Sequence, residues 1–122
     1  MIGSLMMRVS VVVLLAGMLA GIAMGIRQDF TLQPAHAHLN LVGGVLLFLF
    51  GLYYRLFPAA AADRLAKLQG WLHIIGGILF PAGIAMVVLD GPAFIALPIV
   101  GSLMVVAATA LFALIVFRTS RV

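Results

Sequence analysis

The sequence predicts an all-α membrane protein of four transmembrane helices, and three observations predict it. Of the 122 residues, 66% are hydrophobic and only 8% are charged, too few charges to cover a water-soluble surface. The charges that exist divide the chain into four uncharged runs, Val9 to Ile26, Phe30 to Tyr54, Leu68 to Leu89 and Gly91 to Phe117. Each run is long enough to cross a hydrocarbon core about 30 Å thick at about 1.5 Å per residue. None shows the alternation of a membrane β-strand, so helices, which satisfy their own backbone, are the spanning element.

The helices are expected at about residues 8–26, 35–56, 67–89 and 92–117, all within one domain covering 1–122. In the first, Arg8 precedes an apolar run longer than the core of a secretion signal, so it reads as a span and not as a cleaved leader. The second opens at Pro34, whose missing N–H costs nothing in a first turn, and ends at Tyr53 and Tyr54, which suit an interface. A short loop from Pro58 leads to the third, and Asp90-Gly91-Pro92 turns the chain into the fourth. Pro81 and Pro98 are expected to kink the third and fourth helices unless neighbours satisfy the freed carbonyls. Gly17, Gly21 and Gly25 on the first helix, Gly43 and Gly44 on the second, and Gly70, Gly76, Gly77 and Gly83 on the third let backbones approach closely. They serve helix packing or, alternatively, form a flat wall against a planar cofactor. Four helices leave few interior positions, so an oligomer is expected.

The net charge of +4 reports topology. Arg8, Arg55, Arg64, Lys67, Arg118 and Arg121 fall at one end of the helices and only Arg27 at the other. The positive-inside rule then places both termini in the cytoplasm. A bacterial inner membrane, with lipid as the surroundings and no nucleic-acid partner, is the expected location. The absence of cysteine excludes disulfides, thiolate metal sites and covalent c-type haem attachment.

Three histidines carry the candidate chemistry. His36 and His38 open the second helix in Pro-Ala-His-Ala-His-Leu-Asn-Leu-Val-Gly-Gly. They are either interfacial residues wetted by headgroup water or, as ionisable groups inside a span, a functional site. Two positions apart at about 100° per residue point about 200° away from each other. One metal ion is poorly held by such a pair; two cofactors, one on each side of the helix, are served well. His36 shares its face with Asn40, Gly43 and Leu47, and His38 with Leu41, Val42 and Val45.

The stretch His36-Ala-His38-Leu-Asn-Leu-Val-Gly resembles the His-x-His helix of the catalytic subunit of haem-copper oxidases and nitric-oxide reductases. In that family one histidine of the pair ligates a low-spin and the other a high-spin haem, in a subunit of twelve helices arranged as three arcs of four. The resemblance implies a homotrimeric twelve-helix ring built from this chain. It implies haem b held by His38 of one chain and His36 of its neighbour, electron transfer or gas chemistry at that haem, and a redox partner to exchange electrons with. Asn40 on the His36 face and Arg27, suited to haem propionates or simply to Asp29, complete the implied binding residues. No His-Pro-Glu, no His-His pair and no tyrosine four residues after a histidine occur here, so the family's copper site and oxygen reduction do not carry over. Copper bound by imidazole, or a non-catalytic assembly role in a respiratory complex, are the alternatives. His73 on the third helix is expected more than ~10 Å in depth from His38. It is either bonded to a neighbouring helix or a ligand of a second, inner site.

Overall fold

The computed structural model describes residues 1–119, and every long element in it is helical. The first span, α1, covers Ile2–Arg27. It starts two turns earlier than the charge pattern predicts, because Arg8 stands on an exposed face where its stem can lie along the helix and its guanidinium reach the polar boundary. Gln28 ends α1 in the left-handed conformation (φ 52°). Its side-chain amide donates to the Gly25 carbonyl at 2.6 Å, capping one of the orphan carbonyls of the last turn.

The second span is a composite: α2 (Gln33–His38), a π-helical segment (Leu39–Leu46) and α3 (Leu47–Leu56). Pro34 sits in its first turn, as its missing donor requires. A single turn, α4 (Pro58–Ala61), and Asp63, whose carboxylate accepts from the Leu65 amide at 3.0 Å, lead into α5 (Arg64–Asp90). That carboxylate is an ordinary N-cap. Gly91 (φ 95°) and a 3-10 turn, Pro92–Phe94, precede α6 (Ala96–Thr119). The four spans are each long and apolar enough to cross a membrane. Pro81 lies inside α5, but Pro98 stands in the first turn of α6. The expected kink at Pro98 therefore has no cause: its lost donor is one that a helix start leaves unbonded anyway.

Glycine sets how closely the spans approach, and the packing role wins over the flat-wall role at most positions. Gly43 and Gly77 bring the second span and α5 together backbone to backbone; a Cβ on Gly43 would stand 2.9 Å from the Gly77 carbonyl oxygen. Gly76 and Gly83 do the same between α5 and α6, where a Cβ on Gly83 would stand 2.5 Å from the Pro98 nitrogen. Gly3 and Gly51 join α1 to α3, each facing the other's carbonyl oxygen. Gly25 has open space beside it, so it makes no such contact.

Alternating chain direction puts the start of α1, the end of α3, the start of α5 and the end of α6 at one end of the bundle, with Arg8, Arg55, Arg64, Lys67 and Arg118; Arg121 lies outside the described residues. The tightly packed core lies toward this basic end: Ile2, Met6, Leu47, Phe50, Tyr54, Ala66, Ile74 and Ile115. Phe50 stacks on Phe112 of α6 with ring centroids 3.9 Å apart, tying the second span to the fourth. Outside this core most large side chains of α1 from Val11 to Ile26 are exposed, which in water would be untenable and in a bilayer is a lipid-facing surface.

Candidate functional site

The end of the bundle opposite the basic one holds the candidate site. α1, α2 and α5 diverge there around a cavity of about 640 Å3, open on one side. Its walls are apolar: Ala20 and Ala23 from α1 and Ala82 and Ala85 from α5 stand among the larger Met24, Leu32, Leu39, Ile78 and Leu89. His36 projects into the wall and Arg27, Asp29 and Thr31 stand at the rim. Two of the residues singled out in the sequence, His36 and Arg27, are therefore brought to one cavity, although nine positions separate them along the chain.

What positions His36 is a pair of glycines. A Cβ on Gly21 would stand 2.9 Å from the His36 ring, so only glycine lets the imidazole lie against α1 here. One turn along, the Asn40 amide oxygen occupies the space that a Gly17 side chain would need. That oxygen is buried with no conventional donor among the described residues, and a Gly17 Cα–H is the weak donor facing it. The Asn40 amide nitrogen lies 3.3 Å from His36 Nδ1 and 3.2 Å from Nε2. Because it is nearly equidistant from the two ring nitrogens, one of which carries a proton in the neutral ring, it braces the imidazole without lying along the in-plane axis of either nitrogen.

His38 faces elsewhere. Its ring packs edge-on against Phe80 of α5, centroids 4.9 Å apart, and it does not line the cavity. Its Nδ1 lies 2.7 Å from the Pro34 carbonyl oxygen. A carbonyl only accepts, so Nδ1 carries the proton and donates, and in the neutral ring Nε2 is left with the free lone pair. The divergence expected from two-residue spacing is thus present.

His73 is fully buried. Its Nε2–H donates to the Val42 carbonyl oxygen at 2.9 Å, inside the π-helical segment, and its ring meets Phe50 edge-on, centroids 5.1 Å apart. Of its two expected roles, the bond to a neighbouring helix is the one seen. On α5 it precedes Phe80, the partner of His38, by seven residues, about 10 Å of helix, in keeping with the depth separation. No cluster of three or more metal-ligating side chains occurs among the described residues.

At the rim, Asp29 is organised by Thr31, whose amide and hydroxyl donate to Oδ1 at 3.0 and 2.5 Å. Those bonds, hydroxyl first, and the more distant charge of Arg27 hold the Asp29 carboxyl below its ordinary 3.8. Arg27 therefore acts on Asp29 as a nearby charge, while Thr31 is the bonded partner. Sequence reasoning missed Thr31, and it gave Gly17 and Gly21 to helix packing or a cofactor wall, not to the Asn40 and His36 side chains that lie against them. The four-residue glycine spacing was visible, but which side chains fill the hollows was not. Comparison with protein-family models, with curated proteins and with solved structures finds no match to this chain.

Proposed function

We propose that this chain is a haem-binding integral membrane protein in which His36 and His38 supply axial ligands. The observation that carries the reading is the joint placement of an imidazole and a guanidinium on one largely apolar cavity of about 640 Å3. That volume is within the range of about 300–1,000 Å3 typical of small-ligand sites, and small residues on two facing helices suit a planar group. Haem b, once bound, supplies one-electron transfer when both axial positions are filled and gas binding when one is open. Arg27 at the rim is suited to propionates, and Asn40 with Gly17 and Gly21 holds the His36 ring in place. The Pro34 carbonyl fixes the tautomer of His38 so that Nε2 is the free nitrogen, a common second partner for ligating imidazoles.

The two histidines serve different sides of the helix, which supports a shared cofactor between copies of the chain. The proposed assembly is a homotrimer with His36 of one subunit facing His38 of the next, both termini cytoplasmic, in a bacterial inner membrane. The six-to-one distribution of basic residues supports that orientation.

The test is a visible spectrum with metal analysis on protein purified in detergent after expression with ample haem. A Soret band is expected. Copper without a Soret band would favour the copper reading; neither would leave a packing partner of a larger complex. His36→Ala and His38→Ala should each lose most of the haem, and His73→Ala, though less stable, should retain it. Arg27→Gln should weaken retention by about tenfold, the loss of roughly 1.4 kcal/mol of charge-assisted bonding. Native mass spectrometry giving a fully haem-loaded monomer would remove the trimer.

A further inference from the structure

Two buried polar groups at the closed half of the bundle belong to no site described so far. Gln69 and His73 stand four residues apart on α5 and so share a face; both are fully buried. Tyr54 donates its hydroxyl to Gln69 Oε1 at 2.9 Å, which turns the Gln69 amide nitrogen, with its two N–H groups, away from Tyr54. His73 gives its only proton to Val42 through Nε2, which leaves Nδ1 with a bare lone pair. Neither Gln69 Nε2 nor His73 Nδ1 has a hydrogen-bond partner among the described residues. One is a donor and the other an acceptor, one helical turn apart, and they do not bond to each other.

Leaving both bare in an apolar interior is costly, and native proteins rarely do it. A single water resolves both, since internal waters take two to four polar partners. A third partner is at the same level. Met6 packs on Gly70, its sulfur 3.1 Å from the place of a Gly70 Cβ. Both α1 and α5 run from the basic end, so Ser10, one turn beyond Met6, lies at about the depth of the His73 turn. Ser10 is itself fully buried, and its hydroxyl proton goes to the Met7 carbonyl at 2.9 Å, leaving oxygen lone pairs to accept.

We propose that Gln69, His73 and Ser10 form a binding site for one internal water, which accepts from Gln69 Nε2 and donates to His73 Nδ1. Every donor then points the same way, from Tyr54 to Gln69, to the water, to His73 and to Val42. Aligned chains of this kind strengthen each member by mutual polarisation. The chain begins beside a cleft of about 310 Å3 at the basic end that Tyr54 lines, which gives the water an entry side. It ends on the π-helical segment. The site does not rest on the haem reading, because neither Gln69 nor His73 lines the cavity of His36.

Solid-state NMR of the full chain in lipid bilayers, 15N-labelled at histidine and glutamine, tests this directly. His73 should appear as the Nε2–H tautomer with a hydrogen-bonded Nδ1 that receives polarisation from a slowly exchanging water. Gln69→Leu should abolish that water transfer while the tautomer, fixed by Val42, persists. A bare Nδ1 without water transfer, or a direct contact between Nδ1 and the Gln69 amide protons, would overturn the site. So would transfer that survives unchanged in Gln69→Leu. The unsubstituted protein decides the matter alone if that variant does not fold.

Discussion

The two ends of this bundle are both apolar but are filled by different side chains and packed differently. At the basic end Leu47, Phe50, Tyr54 and Ile115 interlock, and Phe112 stacks on Phe50. At the other end alanines face one another across open space, and the side chains that meet are an imidazole, an amide and two glycines. In lipid the apolar surface of the two ends gains nothing from leaving water, so packing alone decides which end is rigid. The closed end should therefore carry the larger share of the stability, while the other end keeps an open cavity.

The sharpest way to break that contrast is to loosen the closed end. Leu47→Ala should cost about 2 kcal/mol in reversible unfolding from mixed micelles, the lower part of the range for buried leucine. The transfer term largely drops out in a bilayer and the lost contacts dominate. An effect under about 0.5 kcal/mol would mean that this cluster is not where stability resides.

A smaller effect distinguishes glycines that look alike in sequence. Gly17→Ala places a methyl where the Asn40 oxygen lies and should cost about 1–2 kcal/mol, within the range for overpacking. Gly25→Ala, with nothing near it, should change stability by no more than about 0.5 kcal/mol. If the two variants unfold alike, the Asn40 contact carries no energy.

The smallest effect concerns the rim. Thr31 holds Asp29 in its ionised form, so the folded carboxyl titrates below its ordinary 3.8. The sign follows: the stabilisation is complete above the unfolded value of about 3.9 and is lost as pH falls through the lower, folded one. The Thr31 amide resonance should shift with a midpoint below 3.8, and Asp29→Asn should remove the transition. A midpoint at or above that value would place the loop in a different arrangement.

Much of the fold was legible because it rests on counting: four apolar runs separated by charges give four spans. The divergence of His36 and His38 was legible from helix periodicity alone. The π-helical segment was not. Its residues, Leu39 to Leu46, are mostly apolar on every side, so no pattern of polarity distinguishes one hydrogen-bonding register from another. The early start of α1 was hidden for the opposite reason: Arg8 looked like a boundary because charge was the only punctuation available. Partners in space, such as Asn40 over Gly17 or His73 on Val42, depend on the rotation of one helix against another. Sequence spacing within one helix does not fix that rotation.

The wide turns of Leu39–Leu46 set a phase between two halves of one rod. A π-helical register closes i to i+5 where an α-helix closes i to i+4, so it holds one residue more than an α-helical stretch making the same turns. Deleting one residue from the segment, Val45 for instance, would let it relax to α-helix with the two halves still in phase. Relaxing to α-helix with every residue kept would instead leave Leu47 and Phe50 seated while turning everything before it by about 100°, the angle of one α-helical step. His36 would then swing off its glycines and His38 off Phe80 in a single move. The segment is the angular setting of the histidine pair, fixed by the backbone and pinned to α5 through Val42.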